Sequence, residues 1–170
     1  SMKPGTGRVG VVMPHGALFR GGAEARIRQH LIEANQLEAV IGLASNLFYG
    51  TTIPACLLIL RTTKAKDRAG HVLFVDGSKR FSQGKAQNSL DNSDVDDLYA
   101  AYQGDEDLED IGVRLVPHEE IEGNDWDLNI GRYLIAESIE VVDISAALAQ
   151  LTEARQSLAE AEASMLERLK

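Results

Sequence analysis

Two nearly unbroken apolar runs frame the chain. Leu37–Leu43 (Leu-Glu-Ala-Val-Ile-Gly-Leu) and Ala55–Leu60 (Ala-Cys-Leu-Leu-Ile-Leu) show almost no polar alternation, the pattern of strands covered by helices on both faces of a sheet. They are read as central strands of an α/β fold. The loop between them places Phe48 and Tyr49 side by side, followed by Gly50, Thr51 and Thr52. Loops that leave a central strand are where α/β sheets bind ligands, so this aromatic pair is the first candidate for function.

Around this frame the hydrophobic pattern predicts further elements. Val9–Met13, closed by Pro14-His15-Gly16, reads as a buried parallel strand ending in a turn. Ala23, Ile27, Leu31 and Ala34 recur at helical spacing, with Arg26, Arg28 and Glu33 mostly on the other side, which predicts the crossover helix. A basic link, 62–70, leads to a strand at His71–Asp76. Residues 77–89, rich in Gly, Ser, Lys, Gln and Asn, predict an exposed, mobile loop. Ser93-x-x-Asp96 resembles a capping box, and Val95, Leu98, Tyr99 and Tyr102 then mark the apolar face of a helix that the acidic run 105–110 closes. Gly112–Val116 reads as a short strand, whereas 119–127 has no clear period and 132–135 is too short to assign. Finally Ile144, Ala147, Leu151, Ala154, Leu158, Ala161 and Met165 recur at spacings of 3 and 4, the seam of a coiled coil on a helix running to the end of the chain. Such a seam is longer than a small core can use, so residues 143–170 are expected to pack against a partner helix through Ile144, Leu151, Leu158 and Met165.

Composition narrows the class. With 170 residues, 44% of them hydrophobic, the chain can bury one sizeable core. No run approaches the roughly 20 apolar residues of a membrane span, and no signal-peptide order opens the chain; a soluble, cytoplasmic protein with no membrane partner is expected. The single Cys56 lies in an apolar strand and fits a reducing compartment. Ser1-Met2 reads as a cloning remnant, so residues 1–7 are set aside as a tag and the chain is expected to be a piece of something longer. The net charge of -9 is unevenly spread: residues 1–80 hold 11 Lys and Arg against 5 Asp and Glu, and residues 81–170 hold 6 against 21. The basic half keeps a polyanion in play as a partner.

The standard catalytic constellations are missing. His15, His30, His71 and His118 are scattered, there is no second cysteine, and no metal-ligand spacing occurs. No Gly-x-Ser-x-Gly elbow, P-loop or dinucleotide fingerprint is present, so Gly21-Gly22 is read as loop geometry and Asp94, Asp96 and Asp97 as a solvated helix face. His15 follows the carboxyl end of the first strand and is a second candidate contact. Arg20, Lys79, Arg80 and Lys85 stand on loops of the basic half and are candidate phosphate contacts.

Four segments together carry a resemblance. Val11-Val-Met-Pro-His-Gly-Ala-Leu-Phe-Arg-Gly-Gly22, Ala39-Val-Ile-Gly-Leu43, Asn46-Leu-Phe-Tyr-Gly-Thr-Thr-Ile-Pro-Ala-Cys-Leu-Leu-Ile-Leu60 and Asp127-Leu-Asn-Ile-Gly-Arg-Tyr133 resemble, in order and spacing, the modification (M) subunit of type I restriction-modification systems, a family of adenine-N6 DNA methyltransferases. Where that family often has Pro-Asn-Gly this chain has Pro14-His15-Gly16, and where it has Ile-Pro-Arg-Tyr this chain has Ile130-Gly131-Arg132-Tyr133. The resemblance implies that residues 8–135 are the C-terminal half of a methyltransferase domain. The fold implied is α/β, the later strands of a partial Rossmann-like S-adenosylmethionine-dependent methyltransferase sheet, followed by a long C-terminal α-helix. Val9–Met13, Leu37–Leu43 and Ala55–Leu60 would be its fifth, sixth and seventh strands, the last antiparallel between the other two. The family's cofactor glycine motif and catalytic Asn-Pro-Pro-Phe occur nowhere in this sequence. S-adenosylmethionine is therefore implied for the parent protein and not for this chain, which is expected to be inactive alone. Phe48 matches the family's aromatic motif beside the target base, with Tyr49 or His15 as other contacts. The partners implied are the specificity (S) subunit, on the terminal helix, the restriction (R) subunit, and double-stranded DNA. Two other readings stay open: a standalone interaction module with a self-associating helix, and the same half-domain from another methyltransferase class.

Overall fold

Alternate residues of the two framing strands face opposite cores, which is why neither strand shows polar alternation. In the computed structural model, which describes residues 2–104 and 108–134 together with Thr152 and Arg155, β2 (Leu37–Leu43) is buried at every position. Val40 packs with Leu18, Ile32, Phe74, Ile121 and Tyr133 on one side. Its neighbour Ile41 packs with Leu73, Val75, Leu98 and Ala101 on the other. This two-residue period is the pleat of a strand.

The sheet contains β1 (Arg8–Pro14), β2, β3 (Ala55–Arg61), β4 (His71–Gly77) and β5 (Gly112–Pro117), in the spatial order β1-β3-β2-β4-β5. β3 runs antiparallel to both β1 and β2, between them, as the resemblance implied. β4 lies parallel to β2, and β5 closes that side antiparallel to β4. Helices α1 (Ala23–Glu33), α3 (His118–Gly123) and α4 (Ile130–Leu134) contribute to the first core, and α2 (Asn92–Gly104) to the second. The chain divides into two units, Ser1–Ala136 and Glu137–Lys170; the sheet belongs to the first. The predicted seam residues Ile144, Leu151, Leu158 and Met165 lie outside the described residues. No helix among the described residues is long and apolar enough to cross a membrane.

Four expectations are corrected. β1 is not buried: within the described sheet it is an edge strand, with Val9 and Val12 exposed. The buried face of α1 is Arg28 and Ile32, while Ile27 is 60% exposed. Arg28 turns inward because its guanidinium finds three carbonyls: Nη1 donates to Ala17 O at 2.9 Å and Arg20 O at 2.8 Å, and Nε to Trp126 O at 3.0 Å. The start of α2 is capped by Asp91 rather than Ser93. Asp94 N–H donates to Asp91 Oδ1 at 3.0 Å and Asp91 N–H returns to Asp94 Oδ2 at 3.0 Å, a reciprocal box two residues earlier than predicted. That shift buries Asp94 with Leu98 and Ala101 and leaves Val95 and Tyr99 exposed.

The fourth correction concerns the loop after β4. It is exposed but tethered: Ser82 and Ser89 exchange backbone hydrogen bonds of 2.8 and 3.0 Å, and residues 86–88 bond to residues 45–47 beyond β2. Amide side chains, which the composition marked as loop formers, make the cross-links.

At the opposite, amino end of β2 the one charge in the apolar run is neutralised. Glu38 is 2% exposed, displaced by a register shift between Leu37 and Ala39, and pairs with Arg61 at 2.5 Å and Arg68 at 3.9 Å. Burial of a carboxylate requires such partners.

Candidate functional site

The carboxyl ends of β1 and β2 and the amino end of β3 meet at one rim of the sheet. Pro14 pairs with Ala55, Gly42 pairs with Cys56, and the His15 amide donates to Pro54 O at 3.1 Å. After β2 the chain leaves the ladder and turns over this rim. The turn is tight: Phe48 and Thr51 form an isolated bridge, Thr51 N–H donates to Phe48 O at 3.3 Å, and Gly50 takes φ +77°, a conformation open to glycine without a Cβ clash. Thr51 Oγ then accepts Ile53 N–H at 3.1 Å and leads the chain into β3.

The turn hangs Phe48 over a cavity of about 190 Å³ lined by Val12, Met13 and Pro14 from β1 and by Phe48, Thr51, Ile53, Pro54 and Ala55 from the turn and β3. No ionisable group lines it, and its single side-chain hydroxyl is that of Thr51. Phe48 lines this cavity and is 42% exposed, so much of its surface stays free. A flat, aromatic ligand face is what such a lining accepts, through stacking and apolar contact. Tyr49 is 96% exposed and does not line the cavity; it neither plugs the loop nor shares the Phe48 environment.

The other predicted residues are placed around this rim with unequal claims. His15 opens a single 3-10 turn, His15–Leu18, but the cavity wall is Pro14, not His15. Burial holds the His15 imidazole below its ordinary pKa, opposed by the Asp76 carboxylate. Arg20 lays its guanidinium against Gly16, 2.7 Å from where a Cβ would stand, and reaches Glu24 at 3.9 Å; being the end of a long, exposed side chain, it could swing aside for a larger residue there. Arg80 is paired with Asp97 at 3.0 Å, which engages the guanidinium offered as a phosphate contact. Lys79 lies with Asp76 in a separate cleft of about 400 Å³, and Lys85 is exposed. Cys56, beside the cavity, donates to Met13 O at 3.5 Å, and burial pushes its thiol up to about 11; it is a packing residue, not a nucleophile.

The Asp127–Tyr133 segment supports the rim from behind. Leu128 N–H donates to Leu18 O at 2.9 Å, and Tyr133 stacks on Phe74 with ring centroids 4.4 Å apart while its hydroxyl donates to Asp127 O. Arg132 ties back to Asp127 at 3.3 Å and to Asn124 Oδ1 at 3.0 Å. Arg28, which anchors the backbone around residues 17–20, and the amide-rich segment 86–88 were both missed as contributors. The first resembled a solvated helix residue. For the second, the only sequence signal was the density of Gln and Asn.

S-adenosylmethionine, implied by the sequence resemblance, carries a carboxylate, an amino group and a ribose that need polar or charged partners. The Phe48 cavity offers one hydroxyl and no charged group, so these residues do not fit the cofactor. Among the described residues no cluster of three or more His, Cys, Asp or Glu has metal-binding proximity.

Comparison with known proteins gives one consistent result. Residues 2–141 match the N-6 DNA methylase family. The methylase subunit of the type I restriction enzyme MjaVII of Methanocaldococcus jannaschii is 36% identical over 150 residues, covering 86% of this chain and 26% of that protein. The MpnII methylase subunit of Mycoplasma pneumoniae is 30% identical over 132 residues, covering 78% and 24%. A crystal structure of a type I restriction-modification methyltransferase subunit from Streptococcus thermophilus superposes with a TM-score of 0.68 at 40% identity, covering 75% of this chain and 26% of that one. The chain thus spans about a quarter of the length of these relatives. A sheet with β3 reversed between β1 and β2, and a sequence match over most of the chain, lead to one family: this protein belongs to the N-6 DNA methylases.

Proposed function

We propose that this chain is the C-terminal part of the methyltransferase domain of a type I modification subunit, and that it supplies the surface on which the target adenine is held outside the duplex. The parent protein transfers a methyl group to N6 of adenine in double-stranded DNA, with S-adenosylmethionine as donor bound by a part of the polypeptide that this chain lacks. The chain alone is inactive. It assembles with a specificity subunit through the seam Ile144, Leu151, Leu158 and Met165, and with a restriction subunit in the complete enzyme, in the cytoplasm.

The observation that carries this reading is the apolar cavity lined by Phe48 at the carboxyl end of the β1 and β2 strands, in a chain of this family. Extruding a base costs a few kcal/mol, and stacking on an aromatic ring returns about 1–3 kcal/mol. A half-exposed phenyl ring over an apolar floor provides that return. The cavity's lack of charge also suits a neutral purine better than a phosphate. Arg20 and Lys79, on loops at the same end of the sheet, are left to meet the backbone, together with the exposed Lys85.

The test is methylation by the complete modification subunit assembled with its specificity subunit. Phe48→Ala removes the stack and lowers turnover by roughly 5- to 150-fold, the equivalent of 1–3 kcal/mol; Tyr49→Ala lowers it less, because Tyr49 does not line the cavity. Unchanged turnover and DNA affinity for Phe48→Ala would sink the assignment.

A further inference from the structure

The loop that carries Phe48 has left the sheet ladder, and its backbone polar groups need partners. They find them in one place. Gln87 Nε2 donates to Leu47 O at 2.6 Å and Asn88 Nδ2 to Ser45 O at 2.9 Å. Asn88 N–H donates to Asn46 O at 2.9 Å, and Asn46 Nδ2 returns a bond to Ala86 O at 3.3 Å. All three carbonyls immediately before Phe48 are therefore held by two consecutive residues some 40 positions later in the chain.

The segment that does the holding is itself fixed. Ser82 and Ser89 bridge its ends, and Ser82 Oγ donates to Asp91 Oδ2 at 3.0 Å, the carboxylate that caps α2. Gly84 permits the turn between them, because a Cβ there would collide with the Gln87 carbonyl. A continuous mechanical path thus runs from the start of α2 through residues 82–89 to Phe48. Asn46, at φ +58°, adopts the left-handed conformation that asparagine tolerates better than most residues, with its side chain bonded across the gap.

We infer that residues 82–89 are a strap that sets the height and tilt of the Phe48 ring over its cavity, with Gln87 and Asn88 as positioning residues for the base-holding step. The inference rests on the reading of Phe48 given above. Gln87 and Asn88 act through Phe48 and do not line its cavity. Both are part of a largely exposed loop and belong to neither hydrophobic core. Misplacing a reacting group by 1 Å costs up to about 100-fold in rate. The strap's contribution is therefore to geometry.

The experiment uses the complete modification subunit with its specificity subunit and two duplexes: the unmodified target, on which kcat and KM are measured, and one with 2-aminopurine in place of the target adenine, which has no N6 to methylate and whose fluorescence rises when the base leaves the stack. Gln87→Met with Asn88→Leu removes both side-chain donors without adding charge; Gly84→Ala displaces the strap independently. Both variants should keep DNA affinity within about twofold and lower kcat by about tenfold or more, with KM for DNA little changed and the fluorescence rise reduced, as in Phe48→Ala. Adding the strap substitutions to Phe48→Ala should cost little more, since residues acting as a unit are not additive. If Phe48→Ala lowers kcat and fluorescence but the strap variants leave both unchanged, the strap proposal is overturned and the reading of Phe48 stands. If the strap variants lose thermal stability in step with activity while the fluorescence rise persists, they are merely structural and the proposal is again overturned. If Phe48→Ala itself changes neither quantity, both readings fall together.

Discussion

Arg28 provides the sharpest test of how this fold is held, because sequence pattern and structure predict opposite outcomes. The pattern puts Ile27 in the core and Arg28 in solvent; the structure has Ile27 60% exposed and Arg28 6% exposed. Arg28→Met keeps the aliphatic stem and removes three donors, those to Ala17 O, Arg20 O and Trp126 O. Hydrogen bonds from a charged group contribute about 1.5–3 kcal/mol each, or about 4.5–9 kcal/mol gross for three. Against this stands the desolvation of the guanidinium, a penalty of several kcal/mol that the methionine does not incur. Burial already holds the Arg28 pKa below its ordinary value, with Asp127 and Glu24 opposing. The expected net loss is about 2–4 kcal/mol, within the range of a broken buried polar network. Urea unfolding followed by the fluorescence of Trp126, the single tryptophan, measures it, since Trp126 lies at one of the three acceptors. Ile27→Ala should cost less than about 0.5 kcal/mol, whereas a truly buried isoleucine would cost about 2–5 kcal/mol. An Arg28→Met variant within 0.5 kcal/mol of the parent chain, or an Ile27→Ala variant as damaging as Arg28→Met, would refute the reasoning.

Two further predictions follow from burial and capping. His15 and His118 are held below their ordinary pKa, both chiefly by burial, with Asp76 opposing at His15 and Lys64 adding to the depression at His118. The unfolded chain therefore binds protons that the folded chain resists. Stability conferred above the ordinary histidine pKa of about 6.5 is lost as pH falls through that value toward the native ones. Thermal melts between pH 7.5 and 5.5 should show this decline, flattened in His15→Asn/His118→Asn; an unchanged slope removes the histidines as its source. Lys64, held down to about 8 by burial, contributes a dependence of the same sign at alkaline pH, outside that window. At the start of α2, Asp91→Ala should lower the melting temperature while Asp91→Asn preserves most of it, because asparagine also caps helices. Ser93→Ala should have the smaller effect, since Ser93 Oγ only donates to the Asp91 carboxylate.

What could be read from sequence divides by the range of the interactions involved. β2 and β3 were legible because packing against a core on each face leaves its mark within seven residues of one strand, with β2 buried throughout and β3 half-buried over most of its length. The reversal of β3 between its neighbours was not legible from pattern, since apolar runs carry no direction; the resemblance supplied it. The face of α1 was misread because Ile27 and Arg28 are adjacent, and the acceptors that draw Arg28 inward lie 8, 11 and 98 residues away. No local period encodes them. The cap of α2 was misplaced by two residues because Asp91 and Ser93 are equally good capping types, and only the return bond from Asp91 N–H to Asp94 distinguishes them. Phe48 stood out as an aromatic in the loop between two central strands, whereas the strap that holds it did not: amide side chains in a polar loop announce hydrogen bonding without naming the partner.

The Asp127–Tyr133 segment shows how a motif can be visible while its work is hidden. It was recognised by its residues, including the departure at Gly131, where the family often has proline. In the structure, its work is to close the core behind the rim: Tyr133 packs on Phe74, and Leu128 N–H holds Leu18 O at the end of the turn that follows Pro14. Gly131 is the second residue of α4, Ile130–Leu134, and amides in a helix's first turn have no intrahelical acceptor. Proline lacks only such an amide, so exchanging it for glycine at this position removes no helical hydrogen bond. What the exchange surrenders is the preset φ of proline, an entropic loss offset here by Arg132 bonding Asn124 and Asp127 and by the buried Tyr133. The departure at Gly131 therefore leaves the support of the Phe48 rim intact, and the substitution with more bearing on the site is His15, whose half-buried imidazole stands one residue beyond the cavity wall.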